Sequence, residues 1–413
     1  MNTRTNFLHL SILFVLTLLL TNCSSDDPQP SVEAPESYSF TRNGQSTVSF
    51  SGQTDRIKMA TELINGMKDF DNATKQGLLE MYRNESETGG DVSPFADASL
   101  NSSTKSVKGK VAASADYFAD NTVESSKIKS DFETWISVHM DDVFPNRNTL
   151  ASPGNPGQLA DGSLTRYVSG SGLVLNQVVA KSLLGALMAD QMLNNYLSTA
   201  VLDAGSKRQD NDNGLVEDGE NYTTMEHNWD EAYGYLYGTS VNKEDPNTTI
   251  GEDDSFLNDY TGTVNSDDDF KGIADDIFNA FKLGRAAIVA KSYELRDEQA
   301  KNIRENISKV IAIRAVAYLQ QAKIALPVDR NNTTAYGTAF QLLSEAYGFI
   351  YSLRFTRKPE GSTSFFAKAE VDAMLGKLMG GTNGLWSVTG TTLDEISADI
   401  AEKFSFTVEQ AGS

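Results

Sequence analysis

Residues 174–201 are apolar around almost their whole circumference, through Val178, Val179, Leu183, Leu184, Leu187, Met188, Met192, Leu193 and Leu197, with Lys181, Asp190 and Asn194 as polar breaks. A helix without a solvent face belongs at the centre of a bundle, so the rest of the chain must supply the helices around it. It does. Ile57, Ala60, Leu63, Ile64 and Met67 recur at three- and four-residue spacing, and Phe132, Trp135, Ile136 and Met140 make a second inward stripe. Long amphipathic runs follow at 270–295 and 298–326, the second ended by Pro327.

Strand signals are confined to the start of the described pattern. Tyr38-Ser39-Phe40-Thr41 and Thr47-Val48-Ser49-Phe50 alternate on either side of Asn43-Gly44, which predicts a small hairpin. The Gly- and Ser-rich residues 85–106 read as loop, as do residues 145–172 with three prolines, and residues 242–269 form an acidic excursion without helical period. The expected class is all-α, a helical bundle with a small N-terminal β-hairpin.

One string occurs twice. Glu231-Ala232-Tyr233-Gly234, followed by two large apolar or aromatic residues and Tyr237, returns as Glu345-Ala346-Tyr347-Gly348 with Tyr351, 114 residues later. A period that long suggests a duplicated half-domain rather than a short tandem array. The expectation is two pseudo-symmetric sub-bundles, residues 38–222 and 223–413, packed as one domain. Small residues at Ala232, Gly234, Ala346 and Gly348 would let the two copies meet at a common seam.

The first copy also carries chemistry. On a helix His227 shares a face with Asp230 and Glu231, three and four residues on, a spacing that can present imidazole and carboxylate to iron or another divalent cation. Glu345 on the second copy would complete a metal set of His227, Asp230, Glu231 and Glu345, with Glu226, Tyr233 and Tyr347 as ligand contacts. Packing alone explains the same repeat without any ligand. Asp210, Asp212 and Asp218 suggest a loose calcium loop, although Gly214 falls one place early for the EF-hand template. No Gly-x-Ser-x-Gly elbow, phosphate loop or His-Glu-x-x-His string occurs, so the expectation is a non-enzyme, with a metal-dependent hydrolase as the weaker reading.

Composition narrows the partners. A formal charge of −21 disfavours nucleic acid. The N-terminus reads as an export signal over residues 1–22: Arg4, then an apolar core at 7–20 too short to span a bilayer. Leu20-Thr21-Asn22-Cys23 resembles a lipobox, which implies lipidation of Cys23, the chain's single cysteine, and a Pro-containing tether over 23–37. Ser24-Ser25-Asp26-Asp27 is similar to an acidic surface-export signal, which places the expected protein on the outer membrane at the cell surface.

The start of the helical region (residues 46–56), residues 225–237 and residues 344–353 together resemble an uncharacterised family of bacterial outer-membrane lipoproteins. Members of that family are associated with imelysin-like lipoproteins, duplicated helical bundles tied to iron uptake that carry Gly-x-His-x-x-Glu. Here His227 and Asp230 match that pattern in type, while Met225 stands in place of its glycine. The resemblance implies an imelysin-like plan and a role in iron or haem acquisition, alongside an outer-membrane transporter or an imelysin-like partner. The alternative is a glycan- or peptide-binding lipoprotein whose acidic excursion and tryptophans (Trp135, Trp229, Trp386) form the recognition surface.

Overall fold

Asn43 and Gly44 both take positive φ, 54° and 79°, as a type I′ turn requires, and they join β1 (Thr41–Arg42) to β2 (Gln45–Ser46) in an antiparallel hairpin. The structure is a computed structural model that describes residues 32–252, 256–361 and 363–412. The signal, Cys23 and most of the tether lie outside the described residues. The chain is mostly helical, as its periodicity predicts. Its longer helices are α1 (Ser51–Gly66), α2 (Lys75–Arg83), α3 (Thr122–Val138), α4 (Leu175–Leu183), α5 (Thr224–Tyr237), α6 (Leu257–Asn265), α7 (Ile273–Val289), α8 (Tyr293–Ala325), α9 (Gly337–Ser352), α10 (Lys368–Met379) and α11 (Gly390–Ala401).

The 33-residue α8 is the spine, packed against α7, α9 and α11, and one contiguous apolar core runs from Tyr38 to Ala411. The expected run at 270–295 is broken at 290–292, where Lys291 turns left-handed (φ 61°) and separates α7 from α8.

The central apolar segment is buried, as its composition demands, but it is not one regular helix. After α4 the backbone widens into π turns at Leu184–Ala189 and Met192–Tyr196. Within the first of them the Ala186 carbonyl accepts a bond at 2.7 Å from the N–H of Ala112, outside the helix, a diversion of the kind that accompanies π geometry.

Two loop expectations are corrected. Residues 145–172 contain an antiparallel hairpin, β3 (Gly157–Asp161) and β4 (Leu164–Val168), around Gly162-Ser163, with Gly162 at φ 58°. A Gly-Ser pair between alternating runs is a hairpin signal, masked here by the prolines before it. Residues 242–269 contain α6, whose inner face of Leu257, Tyr260, Thr261 and Val264 is spaced by three and four residues and is interrupted by the buried Asn258 and the exposed Asp259.

The duplicated string does not form a common seam. Each copy crosses a different helix. A Cβ at Gly234 would lie 2.4 Å from Phe50 Cβ and 3.1 Å from Gln53 Cβ, so α5 lies on the start of α1. A Cβ at Gly348 would lie 2.4 Å from Lys181 Cβ, so α9 lies on α4. The repeated glycine therefore marks one kind of close crossing made twice, in α5 on α1 and in α9 on α4.

Candidate functional site

Helix α5 begins with a capping box: Thr223 accepts from the Glu226 N–H, and the Glu226 carboxylate accepts from the Thr223 N–H at 2.7 Å. Glu226 has two further partners. Arg42 of the hairpin approaches it with both terminal nitrogens at 3.0 Å, and Arg285 of α7 donates at 3.1 Å. One turn on, Asp230 Oδ1 accepts from Arg285 Nε at 3.0 Å and from Tyr38 Oη at 2.7 Å, and its Oδ2 from the Ser49 N–H at 3.3 Å. Arg285 also donates to Thr47 Oγ1 at 3.0 Å.

Arg285, Glu226 and Asp230 are fully buried, and with Arg42 the set is neutral. Burial alone would raise the Glu226 pKa, but Arg285 and Arg42 outweigh it and hold it below the usual carboxylate range. For Asp230 burial wins over Arg285 and Tyr38, and its pKa is raised. This network bolts the hairpin onto α5 and α7. Tyr233, one turn further, is core: its ring stacks on Tyr38 at 3.6 Å and its hydroxyl donates to the Lys243 carbonyl at 2.8 Å.

The adjacent edge of α5 presents Asn228, Glu231 and Tyr235. Glu231 accepts from Gln53 Nε2 at 2.7 Å and from Asn228 Nδ2 at 3.4 Å, while Asn228 accepts from Lys207 at 2.8 Å. Beside them Lys110 donates to Tyr196 Oη at 3.1 Å, and Tyr196 stacks on Tyr235. Burial lowers the Lys110 pKa, against the pull of Glu231, and burial followed by Tyr235 and Glu231 raises that of Tyr196. The Tyr235 hydroxyl is buried beside Arg56.

The second copy repeats this theme with other residues. Glu345 accepts from Gln341 Nε2 at 2.7 Å and pairs with Lys181 of α4 at 3.6 Å. Lys181 lies over the Tyr260 ring at 5.0 Å, as Lys110 lies over Tyr196 at 5.4 Å. Burial, with a contribution from Glu345, raises the pKa of both Tyr260 and Tyr318. Each motif glutamate thus has a lysine and two tyrosines around it, and Glu231 has Lys207 as a second lysine. Tyr347 points elsewhere, edge-on to Trp135 at 6.2 Å, and burial pushes its pKa up to about 12.

The expected metal set is not brought together. Asp230 is consumed by Arg285 and Tyr38, Glu231 by Gln53, and Glu345 sits with Gln341 and Lys181 on α9. His227 is half-buried and stacks on Tyr222 at 4.5 Å, with Nδ1 unpartnered. Among the described residues no group of three or more His, Cys, Asp or Glu side chains is placed to hold a metal ion. That includes the expected calcium loop. Residues Lys207–Asp212 are helical; Asp210 accepts from Ser206 at 2.6 Å and Asp212 from Tyr293 Oη at 2.5 Å, and Asp218 lies in the turn beyond.

The cationic partners were not singled out from sequence, yet one carried a signal. Arg285 falls in register with Phe278, Phe281 and Ile288 on the apolar face of α7, where an unpaired charge would be prohibitive. A family model described as "Domain of unknown function (DUF4856)" matches residues 35–407. No curated protein and no solved structure matches the chain.

Proposed function

The chain belongs to the DUF4856 family, and from that premise and the geometry above we propose that it is a non-enzymatic, lipid-anchored accessory protein of the outer membrane, facing the cell surface and serving iron or haem acquisition. One observation carries the non-enzymatic part. The carboxylates at the start of the signature helix, Glu226 and Asp230, are bound up in a neutral, buried ion network with Arg42 and Arg285 and are not held open for substrate. The anchor rests on the lipobox at Cys23, and no helix among the described residues is long and apolar enough to cross a membrane. The iron or haem assignment rests on the likeness to lipoproteins associated with imelysin-like proteins, and the partner is a transporter or an imelysin-like lipoprotein.

The glycan reading loses its stacking surface: Trp229 is fully buried with its indole N–H on the Phe281 carbonyl, Trp386 is buried, and Trp135 packs on Tyr347 and Tyr351. Deletion of the gene tests the proposal. Growth should fall when iron is scarce or haem is its only source and recover in excess ferric salt, and Cys23→Ser should move the protein out of the membrane fraction. Growth that ignores iron supply but drops on a polysaccharide would refute the iron role.

A further inference from the structure

Beside the second glutamate–lysine–tyrosine cluster a cavity of about 200 Å³ opens between α1, α4 and α6. Its wall is apolar along Ile64, Leu184, Phe256 and the Tyr260 ring; it carries two cations, Lys68 at the exposed rim and Lys181 deeper in, and one carboxylate, the exposed Asp259. Two ammonium groups facing one small cavity repel each other, and this holds in a chain whose overall charge is −21. Lys181 has Glu345, at a loose 3.6 Å, while the Lys68 ammonium has no ion pair or hydrogen bond among the described residues. Burial, then Lys181, lowers the Lys68 pKa. A carboxylate between the two lysines would relieve that repulsion, and an alkyl or aryl body would cover the apolar wall.

We infer that this cavity binds a small organic carboxylate with an apolar body, its anionic end held between Lys68 and Lys181 and its body against Leu184 and Tyr260. At about 200 Å³ the cavity is smaller than the roughly 300 Å³ at which sites for drug-sized molecules begin, which suits a short apolar body. The site lies beside the Lys181–Glu345 pair, away from His227, and does not depend on an iron role.

The full chain is titrated calorimetrically with hexanoate, hexylamine and inorganic phosphate. Hexanoate is expected to bind one to one, and hexylamine and phosphate to give no saturable heat. Lys68→Gln, at an exposed position without partners, should weaken hexanoate binding about tenfold, the scale of one charge-assisted hydrogen bond. Thr61→Phe, which fills the cavity from a half-buried position on α1, should abolish it while the melting temperature and helical circular dichroism stay those of the wild type. The inference is overturned by absent hexanoate binding, by hexylamine or phosphate binding as tightly, or by a folded Thr61→Phe variant that binds hexanoate like the wild type.

Discussion

Arg285 donates from Nε to Asp230 Oδ1 at 3.0 Å with both side chains wholly removed from solvent. Arg285 comes from α7 and Asp230 from α5, and Tyr38 and Thr47 reach the same pair from the two ends of the N-terminal hairpin. A carboxylate so placed cannot be offered to a cation without leaving a buried guanidinium uncompensated. The pair therefore organises the fold around the signature helix.

The repeated glycines should behave alike. Alanine is the better helix former by about 1 kcal/mol, yet at Gly234 and Gly348 the added methyl meets Cβ atoms at 2.4 Å. Each Gly→Ala change is expected to cost about 1–3 kcal/mol net in urea unfolding, the usual range for an overpacked contact. Gly376→Ala is the control: nothing lies within 4 Å of its Cβ position, so it should stabilise by roughly 0.5–1 kcal/mol. Neutral behaviour at both motif glycines would show that the crossings are looser than described.

Two buried groups give opposing pH dependence. His139 donates from Nε2 to the Met67 carbonyl at 2.7 Å, and burial lowers its pKa to about 4. Because its unfolded value is higher, it makes stability fall as pH drops from about 6.5 to about 4. Asp190 is raised to about 6 by burial, against the bonds it accepts from Ser114, Asn194 and the Ala113 and Ser114 N–H groups. Its contribution is present below its unfolded pKa and is lost as pH rises through about 6. Relative to wild type, His139→Gln should therefore gain stability as pH falls through this window and Asp190→Asn should lose it, each by an amount on the order of 3 kcal/mol. Parallel pH profiles for the wild type and both variants would contradict the assignment.

The capping box gives a local test. Thr223→Ala removes the acceptor for the Glu226 N–H but leaves Arg42 and Arg285 in place, and is expected to cost about 1 kcal/mol. Hydrogen exchange should speed at the first turn of α5 and stay unchanged in α9. Faster exchange in both helices would mean that the two motif copies unfold as one unit.

What sequence could show here followed the range of the interactions. The hairpin at Asn43-Gly44 and the helical class were legible because turn chemistry and periodicity are local. The start of α5 carries a local signal as well, the capping-box spacing Thr223-x-x-Glu226, which the repeat of Glu231 and Tyr237 does not reveal. The β3–β4 hairpin was hidden because Pro153 and Pro156 outweighed the alternation after Gly157, and α6 because its short apolar face lies among acids and amides. The partners of the motif carboxylates were beyond reach: Arg42 and Arg285 stand 184 and 59 residues from Glu226, and periodicity says nothing about which charge meets which across a core. The repeat was visible, but only three-dimensional packing shows that its glycines serve two different crossings.

The most direct test compares Asp230→Ala with His227→Ala by urea unfolding, in the presence of a strong chelator and again with added ferric iron, zinc or calcium. The ion-network account predicts that Asp230→Ala loses about 3–5 kcal/mol under every condition, while His227→Ala stays within about 0.5 kcal/mol of the wild type. A wild type that the chelator destabilises, with His227→Ala and Asp230→Ala losing equal amounts and metal restoring neither, would instead make the signature helix a metal centre.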